Sequence, residues 1–271
     1  MSKSVAELII NHILNFNENE ITNIYRQLKL ESQIEVTNVN FLKNSFFEFG
    51  QVTTYNSFQI DLPFWNSFTA GKETVMVIGM DPKRSSISNK VPKDIILNTP
   101  YSLHCKEGRE TKKNQYWSIL SRLLTDYNIY TTDLYKLYFN QINPQNNSRL
   151  PSNRITEYMS LPIHKTMLEE ELAYVNPSAI ICFGNASRNA CASILGLKLN
   201  KQITKDNIMR GYSLQVKDKM IKFIAIPHPS GLTRPNNWTD FYFANEVSGT
   251  VTHNERPEVL ANLIKQSFIN L

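Results

Sequence analysis

Two short loops hold the side chains best suited to chemistry. Gly79-Met80-Asp81-Pro82 follows the apolar run Val75-Met76-Val77-Ile78, and His228-Pro229-Ser230-Gly231-Leu232 follows Phe223-Ile224-Ala225-Ile226. Each loop puts a titratable group just past a short buried-looking strand. A carboxylate there can orient a water or stabilise developing positive charge. An imidazole can hydrogen-bond to a group gathering negative charge. In open α/β sheets, sites assemble at the carboxyl ends of parallel strands, so the two loops are expected to serve one site. Asp81 could instead cap the turn or helix after Pro82, and His228 could be a rigid turn residue between Pro227 and Pro229.

The elements that must position these loops alternate between strand and helix patterns. Strands are predicted at 74–79, 129–134, 178–183 and 223–226. Helices are predicted at 116–124, 156–175, 186–195 and 257–269, the last with Pro257 in its first turn. That alternation implies a three-layer α/β/α arrangement around a central, mostly parallel four-stranded sheet. Residues 1–70 read as a helical N-terminal extension packed on the core, from the spacing of Val5, Leu8, Ile9, Ile13 and Phe16, a second helix capped by Asn19, and a third apolar pattern from Phe41 to Phe49. Residues 71–271 read as the α/β domain. Residues 82–113 read as a long polar loop, a length that usually signals function or disorder.

Composition sets the class. The chain has 271 residues, 41% hydrophobic and 20% charged, with a net charge of +5, as an ordinary globular protein has. No apolar stretch reaches membrane-spanning length, and the N-terminus lacks a signal-peptide pattern, so a cytoplasmic, membrane-free location is expected. Cys105, Cys182 and Cys191 form no disulfide or cluster framework. No metal or cofactor is expected. Lys83, Arg84, Lys90, Lys93, Lys106, Arg109, Lys112 and Lys113 gather near the first loop, either as a solvated face or as a groove for phosphates.

Taken together, the motifs resemble those of the uracil-DNA glycosylase superfamily. Gly79-Met80-Asp81-Pro82 is similar to its first motif and His228-Pro229-Ser230-Gly231-Leu232 to its last. Asn176-Pro177-Ser178-Ala179-Ile180-Ile181-Cys182-Phe183-Gly184 resembles its third core strand, and Tyr130-Thr131-Thr132-Asp133 falls where the second strand presents a base-reading residue. The resemblance covers roughly residues 70–271. It implies a DNA glycosylase that everts a pyrimidine and hydrolyses its glycosidic bond, leaving an abasic site, without metal or cofactor.

The roles follow from the resemblance and the chemistry. Asp81 would orient water toward a cation-like sugar, and His228 would donate to the departing base. Gly79 and Met80 would line the base site. Tyr101 could stack under the flipped base or be merely structural. Leu232 would wedge into the vacated stack, while Ser230, Gly231, Arg234 and Arg84 would meet DNA. Two departures bear on the base. Asp133 stands where uracil enzymes present asparagine. A carboxylate accepts from the cytosine amino group but cannot donate to uracil O4. Asn140 or Asn143 could supply an amide instead. Lys83 stands where a bulky tyrosine often blocks C5, leaving room for a substituent. The expectation is therefore a monomeric, monofunctional glycosylase for a modified cytosine, such as the glucosylated hydroxymethylcytosine removed by a phage-defence branch. Ordinary uracil repair, an inactive DNA-binding module and a hydrolase of free nucleosides are the alternatives.

Overall fold

The computed structural model describes residues 3–36, 42–43, 57–82, 94–110, 115–142, 145–146, 148–197, 212–216, 219–226, 228, 251–252 and 254–269. In chain order the elements are α1 (Lys3–His12), α2 (Glu18–Leu28), β1 (Ile34–Val36), β2 (Ser57–Asp61), β3 (Phe64–Ser67), β4 (Thr74–Gly79) and β5 (Asp94–Asn98). A 3-10 turn (Pro100–Ser102), α3 (Lys106–Glu110), α4 (Gln115–Leu120), β6 (Asn128–Asp133), β7 (Leu137–Tyr138), β8 (Asn140–Ile142) and β9 (Arg149–Pro151) follow. A second 3-10 turn (Ser152–Arg154), α5 (Thr156–Met159), α6 (Pro162–Val175), β10 (Ala179–Phe183), α7 (Asn185–Ile194), β11 (Tyr212–Val216), β12 (Lys219–Ile226) and α8 (Arg256–Ile269) complete the order.

The chain divides into two units, each assembled from three stretches: residues 1–64, 81–110 and 132–174 in one, 65–80, 111–131 and 175–271 in the other. The second unit holds most of a six-stranded sheet in the order β11-β12-β10-β4-β6-β3. Its middle is parallel: Ile78 of β4 faces Cys182 of β10, Cys182 faces Ala225 of β12, and Phe183 faces Ile226. Every residue of β4, β6 and β10 is buried, which explains their continuous apolar runs. The crossover helix α7 packs on β10 and β12, and α8 packs on α4. Asn128 ties β6 to the preceding turn, its amide donating to the carbonyls of Thr69 and Lys72 at 3.0 Å each.

The four expected strands are therefore neighbours, but a mostly parallel four-stranded sheet is corrected to mixed sheets. β11 runs antiparallel to β12 at one edge. A second, four-stranded sheet, β1-β5-β2-β7, stands in the first unit, with β2 and β5 parallel and the outer pairs antiparallel. Residues 1–70 thus hold strands as well as helices, and the polar stretch 82–113 contains β5 and α3. The apolar pattern expected at 41–49 lies outside the described residues, apart from Leu42 and Lys43. Asn17, not Asn19, caps α2, through a reciprocal box with Glu20. The helix expected over 156–175 is broken before Pro162, whose ring cannot continue a helical turn. The helix expected over 116–124 gives way after Leu120 to turns that mix i to i+3 with i to i+4 bonds.

In the first unit the rings of Phe58, Phe139, Tyr158 and Tyr135 follow one another edge to face or tilted, and His164 meets the last two, its ring centroid 4.8 Å from that of Tyr135 and 4.9 Å from that of Tyr158. His164 Nε2 donates to the Tyr158 carbonyl at 2.9 Å. Burial lowers the His164 pKa from its ordinary 6.5 to about 4. The unfolded chain thus binds this proton at a higher pH than the folded one. The stabilising contribution is whole above the unfolded value and drains away as pH falls toward the folded one, reaching roughly 3 kcal/mol. Urea unfolding of wild type and His164→Gln between about pH 7 and pH 4.5 is expected to show a smaller acid-induced loss in the variant. Parallel loss in both proteins would contradict this.

Candidate active site

In the second unit, β4, β10 and β12 present their carboxyl ends at one sheet edge. Gly79 and Met80 lie there, as do the turn Gly184 and, two residues past β12, His228. Gly184 has φ +90°, and a Cβ built on it would come within 3.2 Å of His228 Cβ. Its N–H donates to the Ile226 carbonyl at 2.8 Å, drawing the turn against the end of β12. Glycine is therefore needed both for the backbone conformation and for the histidine's room.

Tyr116 of α4 is the partner that the sequence reading missed. Its hydroxyl lies 2.9 Å from His228 Nε2. Its ring meets the imidazole edge to face at 5.6 Å and Phe183 at 5.1 Å. His228 keeps a solvent-facing side, but the neighbouring groups cost it enough hydration to lower its pKa. Neutral imidazole is favoured at neutral pH, and in that form one ring nitrogen donates while the other accepts.

In the first unit, Asp81 accepts a 2.6 Å hydrogen bond on Oδ2 from Asn153 Nδ2. Tyr135, Tyr138 and Tyr158 all have raised pKa values, chiefly from burial, with the Asp81 charge adding to each. The carboxylate therefore lies among phenol groups held neutral. Tyr138 in turn donates to Asn140 Oδ1 at 3.4 Å.

Asp133, at the end of β6, is 2% exposed, which removes the reading of a solvated strand end. Behind it stands a buried network. Lys136 Nζ donates to the Asp133 carbonyl at 2.7 Å, to Glu171 Oε2 at 2.6 Å and to Thr132 Oγ1. The Thr132 hydroxyl donates to Glu171 Oε1 at 2.7 Å. The ion pair is 2% and 1% exposed, so each charge depends on the other.

Tyr101 lies in the first 3-10 turn with φ 60°, followed by Ser102 at φ 55°. Two consecutive non-glycine residues in this region are strained, and the surroundings hold them there. The Ser102 N–H donates to the Thr99 carbonyl at 2.9 Å, Thr99 Oγ1 bonds His104 Nδ1 at 2.7 Å, and His104 Nε2 donates to the Glu31 carbonyl at 3.0 Å. Gly108 leaves room, since a Cβ there would fall 2.0 Å from the Ser102 oxygen.

Lys83, Arg84, Ser230, Gly231, Leu232, Arg234 and Asn143 lie outside the described residues. Among the described residues, no group of three or more His, Cys, Asp or Glu is arranged to hold a metal, and no helix is long and apolar enough to cross a membrane. Nothing in the sequence marked Asn153. Tyr116 and Gly184 were visible only as a helix start and a turn.

The family model described as the uracil DNA glycosylase superfamily matches residues 67–246, two thirds of the chain, including both loops. The chain belongs to the uracil DNA glycosylase superfamily, which indicates a DNA glycosylase in general. A search of curated proteins gives no match.

The His228 environment is testable without substrate. In NMR titrations, with the resonance assigned by its loss in His228→Gln, Tyr116→Ala is expected to raise the His228 pKa toward the ordinary value by rehydrating the ring. Tyr116→Phe, which keeps the aromatic wall, is expected to raise it less. An unmoved titration in Tyr116→Ala would show that this ring does not desolvate the imidazole.

Proposed function

We propose that the chain is a monofunctional DNA glycosylase that everts a pyrimidine, a modified cytosine in particular, and hydrolyses its bond to deoxyribose. The observation that carries the reading is the sheet edge at which β4 leads directly into Asp81 and β12 into His228, in a chain of this family.

The reaction makes a water oxygen–C1′ bond and breaks the C1′–N1 bond, whose electron pair leaves with the base. The sugar passes through a cation-like state. Asp81, ionised, directs the water's lone pair at C1′ and attracts the developing positive charge. The water's proton passes toward the carboxylate and then to solvent. His228, neutral and with its plane set by Tyr116, donates N–H to the pyrimidine O2 as negative charge accumulates there. Gly79 and Met80 let the backbone approach the base. Tyr101, held in a strained conformation, is suited to act as a preorganised stacking ring.

Asp133 accepts from the exocyclic amine of a cytosine. Its buried place at the end of β6, where the resemblance puts a base-reading residue, supports that role. Lys136 is engaged by Glu171, Thr132 and the Asp133 carbonyl, which disfavours it as a Schiff-base nucleophile and supports the monofunctional assignment. The roles given to Lys83, Arg84, Ser230, Gly231, Leu232 and Arg234 rest on sequence alone. Residues 71–271 carry the chemistry in this reading and residues 1–70 support it. A cytoplasmic monomer acting against phage DNA with modified cytosine suits such a substrate.

The test is release of free base from duplexes carrying uracil, cytosine, hydroxymethylcytosine or its glucosylated form, with borohydride trapping as the check on a lyase step. Release from a cytosine derivative, no trapped adduct, and at least about 10²-fold loss in Asp81→Ala and in His228→Ala are expected. Release of uracil alone would overturn the Asp133 assignment. Salt-sensitive DNA binding with no base released would indicate an inert module on the same fold.

A further inference from the structure

We propose that Asn153 is a positioning residue for Asp81, fixing the carboxylate in one orientation while leaving its negative charge intact. The inference rests on the role given to Asp81 above.

Asn153 approaches from 72 residues further along the chain, and its amide bond to Oδ2 is short, at 2.6 Å, as bonds to an ionised acceptor are. Its mount is rigid. Asn153 lies in the 3-10 turn that follows β9, and β9 pairs antiparallel with β8, Pro151 opposite Asn140. The preceding Ser152 is fully buried. Its N–H donates to the Phe139 carbonyl at 2.8 Å, and its hydroxyl accepts from the Phe139 N–H at 3.3 Å. The Ile155 N–H closes the turn onto the Ser152 carbonyl at 3.0 Å. The Tyr158 hydroxyl, one helical turn on, is itself anchored to the Leu137 carbonyl at 2.6 Å. An amide held this way restricts the torsions of the carboxylate that it grips, and orientation of this kind carries much of the rate when a water must be aimed.

The chemistry of the partner matters as much as its position. A lysine or arginine at this place would also orient Asp81, but its charge would offset the anion that the sugar cation needs. A carboxamide donates a hydrogen bond with no net charge. Among the described residues, Tyr135 in the turn after β6, Tyr138 on β7 and Tyr158 on α5 feel the Asp81 charge, and all three are held neutral. Donation from Asn153 favours the ionised carboxylate, so removing it is expected to make Asp81 easier to protonate.

Two readouts test this on the full chain. In 13C NMR of the Asp81 carboxyl, Asn153→Ala is expected to move the titration upward by about one pH unit, whether or not a substrate is at hand. In single-turnover release from whichever duplex of the panel the wild type cleaves fastest, Asn153→Ala is expected to lose roughly 10²-fold in rate with DNA affinity kept, and its acid limb is expected to shift upward. Asn153→Asp, which sets a like charge against Asp81, is expected to lose more. Asn153→Ser, which restores a donor, is expected to recover part of the rate. A wild-type rate and an unmoved Asp81 titration in Asn153→Ala, with Asp81→Asn inactive, would overturn the inference alone. Full activity in Asp81→Asn would instead overturn the underlying reading, and this inference with it.

Discussion

Strands β4, β10 and β12 run parallel in strict register, with Ile78 opposite Cys182 and Cys182 opposite Ala225. The rest of the structure depends on this alignment. Backbone hydrogen bonds fix the strands to within a residue, and a slip of one would turn each side chain to the other face. Because all three strands finish at one edge, the chain leaves that edge three times, toward Asp81, into Gly184 and toward His228. The apolar content of these strands supplies the burial that makes the register costly to lose.

In the first unit charge is handled in two different ways. Lys136 and Glu171 are both buried and cancel one another. Their work is done on the backbone, since Lys136 grips the Asp133 carbonyl and ties the turn after β6 to α6. Asp81 instead accepts from a neutral carboxamide, a donor that brings no opposing charge. A reaction that separates a sugar cation from a base anion needs that second arrangement, because a neutralised carboxylate does nothing for the cation. In the second unit, desolvation by its neighbours holds the His228 pKa down, and a tyrosine and a glycine stand against the ring.

The parts legible in the sequence were those written in local pattern. β4, β6, β10 and β12 were visible because buried parallel strands read as unbroken apolar runs bounded by turn residues. The second sheet was harder to see. β5 offers only Ile95, Ile96 and Leu97 between polar residues. β2 alternates Phe58 and Ile60 with Gln59 and Asp61, yet Gln59 and Asp61 are as buried as their apolar neighbours. That alternation was a usable strand signal within a segment read as helical. The site divides the same way. Asp81, Asp133 and His228 were marked by their place after strands. Asn153 and Tyr116 were not, because their meaning comes from partners 72 and 112 residues away, which no local pattern encodes. Tyr101 was visible as a residue but not as a strained one, since its positive φ stands within a turn that the Thr99–His104–Glu31 bonds brace from outside the local sequence.

The central claim is that Asp81 and His228 serve one bond-breaking event. A double-mutant cycle on single-turnover base release measures this directly, using Asp81→Asn, His228→Gln and the pair. Two groups acting in one transition state give losses that combine far from additively, so the account predicts a double variant little slower than the worse single variant. Losses that multiply in full, or a single variant that releases base at the wild-type rate, would contradict it.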